Sequence, residues 1–290
     1  MKVEVFHLNS FTYHGQGGNP AGVVLSGDVL TDAQMQAVAG KMGFSETAFI
    51  LPDTTADFHL RFFTPASEID FCGHATLAAF SLMRKRDIIS AGQYCYRTKS
   101  GILTVSVYTD NCVVMSQNLP TFSDFCSTDE ISEILGVNKG VLCPDGPPIR
   151  IVSTGLPDAI IPVQHGTLDA IQPDYDQLAI YSRKKDIVGF HLFELNPQGD
   201  EFNASCRNFA PLYGIAEESA TGSSCGALAC YLSKFYSPPI SCDFRFEQGR
   251  AMGSRSSISA SVQSTSGLIS AVTVGGNVNL MGSVEVVIEE

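Results

Sequence analysis

The stretches "EIDFCGHATLAAFSL" (Glu68–Leu82) and, roughly half the chain further on, "EESATGSSCGALACYL" (Glu217–Leu232) decide the fold. Each places acids before a short reactive knot containing a glycine, then runs into an apolar helix. In the first, Leu77, Ala78, Phe80, Leu82 and Met83 cover most of a helical circumference, the pattern of a helix buried nearly all round. Arg84, Lys85 and Arg86 close it, where cations suit the negative end of the helix dipole. In the second, Leu228, Tyr231, Leu232 and Phe235 form the apolar face, and Pro238 and Pro239 end the helix.

The flanks repeat as well. "GNPAGVV" (Gly18–Val24) is matched by "GLPDAII" (Gly155–Ile161), and "RFFTP" (Arg61–Pro65) by "RNFAP" (Arg207–Pro211). Matches in the same order at nearly the same offset indicate duplication, and the period is far too long for a solenoid. Each half reads as strands around one buried helix, with "VEVFHLN", "TAFIL" and "GILTVSVY" typical of one half and "IRIVST", "AIIPV" and "HLFEL" of the other. Thr31 opens an outer helix as a capping box with Gln34, and Met35, Val38 and Met42 form its inner face.

Composition excludes several classes. The 290 residues are 44% hydrophobic and 17% charged with a net charge of −12, which describes a globular chain. Without a basic run it lacks the footprint of a nucleic-acid partner. No apolar run reaches the roughly 18 residues of a membrane span. The opening "MKVEVFHLNSF" alternates like a strand and carries no secretion-signal pattern. Nine cysteines, an odd count without a CxxC pair, fit reduced thiols and a cytoplasmic location. The six histidines show no ligand spacing, so no metal is expected.

A helix start carries unpaired N–H groups and about half a positive charge. Gly73 and Gly222 would let a ligand approach that backbone closely, so an acidic protein could hold a small carboxylate there. The same glycines would equally serve tight turns. Glu46, in "FSETAFILP", shares a strand face with Ala48 and Ile50, where desolvation would raise its pKa as suits a general base. A water-exposed strand-end glutamate is the plain alternative. His74 reads as a catalyst or as a helix-capping residue. Cys72 reads as a thiolate favoured by the helix dipole or as an inert buried thiol.

Together "GNPAGVV", "SETAFI", "RFFTPASEIDFCGHATLAA", "VSTGLP", "RNFAPLYGIAEESATGSS" and "EQGRAMG" resemble the phenazine-biosynthesis isomerase-like family over nearly the whole chain. The resemblance implies an α/β (α+β) protein with the diaminopimelate epimerase-like fold. In that fold two similar domains, related by a pseudo-twofold, each wrap a curved sheet or barrel around a central helix. Residues 1–118 would form the first, completed by a strand at about 272–290, and 119–271 the second. The site of such proteins lies between the domains and needs no cofactor, and a homodimer is expected.

The epimerase for which the fold is known uses two opposed cysteines. Here Cys72 stands at one of those positions and Thr221 at the other, which disfavours two-thiol racemisation. Cys225, a turn beyond, stays open as a partner. Glu46 matches the family's acid–base glutamate, His74 its histidine and Ser223 the serine of A-T-G-S. The family usually has Glu-Asp-Pro before A-T-G, whereas this chain has Glu218 for the aspartate and Ser219 for the proline.

The resemblance thus implies a cofactor-free isomerase of a small anionic, amino-acid-like substrate. Asn19, Gly73, His74, Thr221, Gly222, Ser223 and Ser224 would bind that substrate, and Glu46, His74, Glu218 and Cys72 would carry the chemistry. Two rivals stay open: an epimerase in which Cys72 pairs with Glu46 or Cys225, and a non-catalytic small-anion binding protein of the same fold.

Overall fold

The computed structural model describes residues 1–290 apart from 111, 145, 237–241 and 290. Pro238 and Pro239, expected to stop the second central helix, lie outside the described residues. The chain divides into two compact units, Met1–Ser116 with Gly275–Glu290, and Gln117–Val274.

The first unit holds β1 (Lys2–Ser10), β2 (Asn19–Val24), α1 (Asp32–Met42), β3 (Thr47–Leu51), β4 (Phe58–Phe63), β5 (Glu68–Ile69), α2 (Gly73–Lys85), β6 (Gly92–Thr98), β7 (Gly101–Val107) and β8 (Val113–Ser116). β1 and β2 pair antiparallel, and β3 lies parallel to β2 across α1. β4 runs antiparallel to both β3 and β5, β6 returns parallel to β4 across α2, and β7 closes antiparallel on β6. The C-terminal strand, Val278–Val287, lies antiparallel along the whole of β1, with a bulge between His7 and Leu8.

The second unit holds β9 (Thr121–Phe125), α3 (Thr128–Leu135), β10 (Arg150–Ser153), β11 (Pro157–Pro162), α4 (Tyr175–Lys185), β12 (Gly189–Leu195), β13 (Ala204–Ala210), β14 (Ile215–Glu218), α5 (Gly222–Phe235), β15 (Asp243–Gln248), β16 (Ser256–Thr265) and all but the last two residues of β17 (Leu268–Gly276). Its ladder β10–β11–β12–β13, the β13–β14 hairpin and the parallel β13–β15 return across α5 repeat the first unit's pairings in order and sense. The duplication seen in short motifs is thus a duplication of topology. Among the described residues no helix is long and apolar enough to cross a membrane.

Burial explains the central helices. Every residue of α2 from His74 to Met83 is buried, as is every residue of α5 from Ser224 to Leu232. Both begin earlier than the apolar runs that reveal them, because glycine, serine and histidine add nothing to a hydrophobic stripe. α1 carries the expected capping box: Gln34 N–H donates to Thr31 Oγ1 at 3.3 Å and Thr31 N–H to Gln34 Oε1 at 2.9 Å. α3 and α4 were not anticipated. α4 buries only Leu178, Tyr181 and Ser182, too narrow a stripe to stand out, yet it occupies the place in the second unit that α1 holds in the first.

Candidate active site

In the first unit the strand order brings together residues far apart in the chain. Glu46 directly precedes β3, and its carbonyl accepts the Gly22 N–H of β2 at 3.1 Å. Cys72 caps α2 in an extended conformation (φ −144°, ψ 118°), and His74 lies in the first helical turn. His74 Nε2 is 3.2 Å from Glu46 Oε2, and Cys72 Sγ is 3.4 Å from His74 Nδ1. The Asn19 amide reaches His74 Nδ1 at 3.3 Å. Below the ring, Ser10 Oγ donates to the His74 carbonyl at 2.6 Å and Thr76 Oγ1 to the Cys72 carbonyl at 2.7 Å, which fixes the helix start. Glu46, Cys72, His74 and Asn19 are all buried.

The electrostatics correct two expectations. Burial alone pushes the Glu46 carboxyl up and is the largest single influence. The charge and hydrogen bond of His74, with hydrogen bonds from Ser45 and Cys72, outweigh it and hold Glu46 below its ordinary value. Burial likewise opposes the His74 imidazolium, but the negative charge that Cys72 and Glu46 can carry raises its pKa well above the ordinary value. Cys72 moves the other way from the dipole argument: burial first, then the Glu46 carboxylate, push its thiol up. These directions favour an ionised Glu46–His74 pair, with a Cys72 thiol less acidic than an ordinary one. Gly73 has ordinary helical backbone, and a Cβ there would meet the Met115 methyl at 3.3 Å, so part of its role is packing. Its N–H finds no acceptor among the described residues.

The second unit builds its helix start differently. Thr221 caps α5, and Gln248 at the end of β15 grips the loop before it. Gln248 Oε1 accepts the Thr221 N–H at 3.1 Å, while Gln248 Nε2 donates to the Glu218 carbonyl at 2.7 Å and to Thr221 Oγ1 at 3.0 Å. Thr221 Oγ1 donates in turn to Glu218 Oε2 at 2.7 Å. This grip constrains the backbone that Ser219 leaves free where the family has proline. Ser223 is half-buried, and its hydroxyl has no partner among the described residues.

Two predicted site residues turn inward. Ser224 is fully buried; its hydroxyl donates to Asp158 Oδ2 at 2.5 Å and accepts from Asn208 Nδ2 at 3.2 Å, so its one proton is committed and cannot serve a substrate carboxylate. Cys225 Sγ lies 4.0 Å from His191 Nε2 and 3.9 Å from Gln248 Oε1, with no exposed surface. Burial pushes the Cys225 thiol up, but hydrogen bonds from Cys206 and His191 and the His191 charge bring it down to about 6. Burial raises Asp158 to about 6.

A matched ion pair stands beneath each helix start. Arg61 on β4 donates through Nε and one terminal nitrogen to both oxygens of Glu68 on β5, at 2.7 and 2.9 Å. Arg207 on β13 does the same to Glu217 on β14, at 2.8 Å for both bonds. Sequence reading passed over these clamps and over Asp158, His191, Asn208 and Gln248. All but His191 sit inside repeated or family-like motifs, so their positions were flagged while their roles were not.

The model of the family described as "Phenazine biosynthesis-like protein" matches residues 8–282. An uncharacterized isomerase of Clostridium acetobutylicum is 33% identical over 277 residues, covering 90% of either chain. The trans-2,3-dihydro-3-hydroxyanthranilate isomerase of Pseudomonas aeruginosa is 28% identical over 277 residues, 93% of this chain and 94% of that one. The crystal structure of a Bacillus anthracis phenazine biosynthesis protein of the PhzF family superposes with a TM-score of 0.90 at 28% identity, over 99% of this chain and 100% of that one. The fold is thus that of the isomerases and epimerases built from two similar α/β halves. The chain belongs to the phenazine biosynthesis-like family.

Proposed function

We propose that the protein is an isomerase that moves a proton within a small carboxylate-bearing, amino-acid-like molecule by general acid–base catalysis, with no cofactor. The observation that carries this reading is the buried Glu46–His74 pair, 3.2 Å apart at the start of α2. The Glu46 carboxylate takes an activated C–H proton. The carbon framework rearranges its electron pair, and the Glu46 carboxylic acid returns the same proton to a different carbon. The His74 imidazolium steadies the carboxylate before transfer and polarises the substrate while Glu46 is neutral. The N–H group of Gly73 provides a donor for the substrate carboxylate.

Geometry favours this over epimerisation by Cys72 with Glu46. Inversion at one carbon needs an acid and a base on opposite faces of that carbon. The ligand atoms of Glu46, Cys72 and His74 all lie within 4.8 Å of one another, so they serve a single face. One face suits a proton that leaves one carbon and returns to another. Cys225 is an equally poor partner, being enclosed among His191, Cys206 and Gln248.

The test is proton NMR in D₂O with a panel of unsaturated and simple amino acids and dihydro-hydroxyanthranilate, scoring exchange and product together. Turnover by wild type that disappears in Glu46→Gln supports the reading. Ligand broadening without exchange or product would move the function to small-anion binding.

A further inference from the structure

The same three side chains that form the acid–base pair and its thiol neighbour also form a ligand set for a soft divalent cation. We infer that Glu46, Cys72 and His74 bind one Zn²⁺ ion, which occupies the acid–base group and so blocks it. This goes beyond the proposed isomerase reaction, and its binding test does not depend on turnover.

The geometry carries the inference. Zn²⁺ takes thiolate at about 2.3 Å and imidazole or carboxylate at about 2.0–2.2 Å, usually in a tetrahedron. Tetrahedral angles then require N···O near 3.3 Å and S···N near 3.6 Å, as follows from those bond lengths. His74 Nε2 is 3.2 Å from Glu46 Oε2 and 4.0 Å from Cys72 Sγ. The first separation already fits, the second is longer than the tetrahedral value, and all three ligand atoms lie within 4.8 Å of one another, so the Cys72 side chain would have to move inward on binding. Glu46 Oε2 is buried and faces His74 Nε2 at 3.2 Å, so its acceptor points into the centre of the set.

Sequence spacing gave no hint of such a site, because Cys72 and His74 are two residues apart and the third ligand comes from the start of β3. Three protein ligands leave a fourth position for water, the pattern of an open zinc site rather than a closed structural one. A thiolate in the set selects against Mg²⁺ and Ca²⁺.

Charge balance supports occupancy of so buried a place. Carboxylate, thiolate and neutral imidazole together carry two negative charges, which one divalent ion neutralises, and any protons on these groups leave to solvent as it binds. Asn19 supplies the outer support that metal-bound histidines usually have. With its amide oxygen turned to Nδ1–H, it leaves Nε2 as the ligating atom.

The experiment is a titration of metal-stripped protein with Co²⁺, followed by optical absorption. One equivalent should bind with an intense thiolate-to-cobalt charge-transfer band, and Zn²⁺ but not Mg²⁺ should displace it. Cys72→Ser should abolish the band. Glu46→Gln should keep it at lower affinity, and Asn19→Ala should weaken binding by about 10–100-fold. Should Cys72→Ser fail to fold, wild-type protein decides: Zn²⁺ should slow alkylation of the Cys72 peptide, read by mass spectrometry, relative to that of exposed Cys95. Absence of the band in wild type, or its survival in Cys72→Ser, overturns the site. Zn²⁺ binding by a protein that, when metal-free, binds a panel ligand without exchange or product would sink the isomerase reading and leave this one standing.

Discussion

The segments Arg61–His74 and Arg207–Ser223 are two copies of one design, and they have been put to different use. Both run from a strand through an Arg–Glu clamp into a buried helix. In the first, the helix start faces an ionised pair, Glu46 and His74, with Cys72 beside it. In the second, it is held by hydrogen bonds from Gln248 and from Thr221, whose hydroxyl donates to Glu218, while Asp158, His191 and Cys225 lie deeper, around Ser224. The clamps differ in the same sense. Arg207 is 4% exposed, and its remaining nitrogen donates to the carbonyls of Leu168, Asp169 and Ile171. Arg61 is 16% exposed, bonds Asp32 instead, and borders an open cavity of about 390 Å³ that Arg97 and Lys99 also line. Duplication has thus conserved the mechanical part and let the chemistry diverge.

The largest expected effect tests that divergence directly. Glu46→Gln should lower kcat by roughly 10²–10⁴ if it is the acid–base group, while Glu218→Gln, which keeps an acceptor for the Thr221 hydroxyl, should act mainly on KM. Steady-state kinetics on the two variants checks it, and equal losses in kcat would erase the distinction between the copies. Next in size, Arg207→Ala should cost about 3–5 kcal/mol, because it strands Glu217 and three carbonyls away from water. Arg61→Ala should cost about 1 kcal/mol or less, since solvent and Lys99 still serve Glu68. Urea denaturation of both variants gives the comparison.

Between these lies Gln248→Ala. It removes the grip on Thr221 and Glu218 and should cost about 1–3 kcal/mol by leaving buried groups unpaired, with a rise in KM measured alongside.

The smallest effect is one of pH. Glu46 sits below its ordinary 4.5, so its contribution is present above that pH and is lost as pH falls through the lower folded value. His74 sits above its ordinary 6.5, so its contribution is full below 6.5 and is lost as pH rises through the higher folded value. The pair should therefore stabilise the fold most between pH 4.5 and 6.5. The stability difference between wild type and His74→Asn, followed by denaturant melts across pH, should peak there and shrink above it. A difference that grows at alkaline pH would mean that His74 rests neutral.

Much of this was legible because duplication writes itself twice. The paired glycine–proline, arginine–phenylalanine and helix-start motifs marked both central helices, and Thr31 with Gln34 marked α1. α4 was not legible from its own residues, since three buried positions make no pattern; only the repeat of α1 points to it. For the site, residue types and positions were readable, whereas their charges were not. The pKa direction of Glu46 depends on a histidine ring brought to it by the β2–β3 pairing and by the extended cap at Cys72, and that of Cys72 on burial and on Glu46, and no local spacing encodes these approaches. Ser224 looked like Ser223 in sequence, yet a single step around the helix turns one hydroxyl out and the other onto Asp158.

The strand Val278–Val287 has a consequence for how the chain is made. It covers one edge of β1 from Lys2 to Ser10, and the Met1 carbonyl accepts the Ile288 N–H at 2.9 Å. On a ribosome, β1 emerges long before this partner exists, whereas the β10–β16 ladder closes within one contiguous stretch. Nascent chains halted before Val278 would carry β1 with that edge bare, a template for pairing with a neighbouring chain on the same polysome. Completion of the first unit therefore waits until Val278–Val287 has been synthesised.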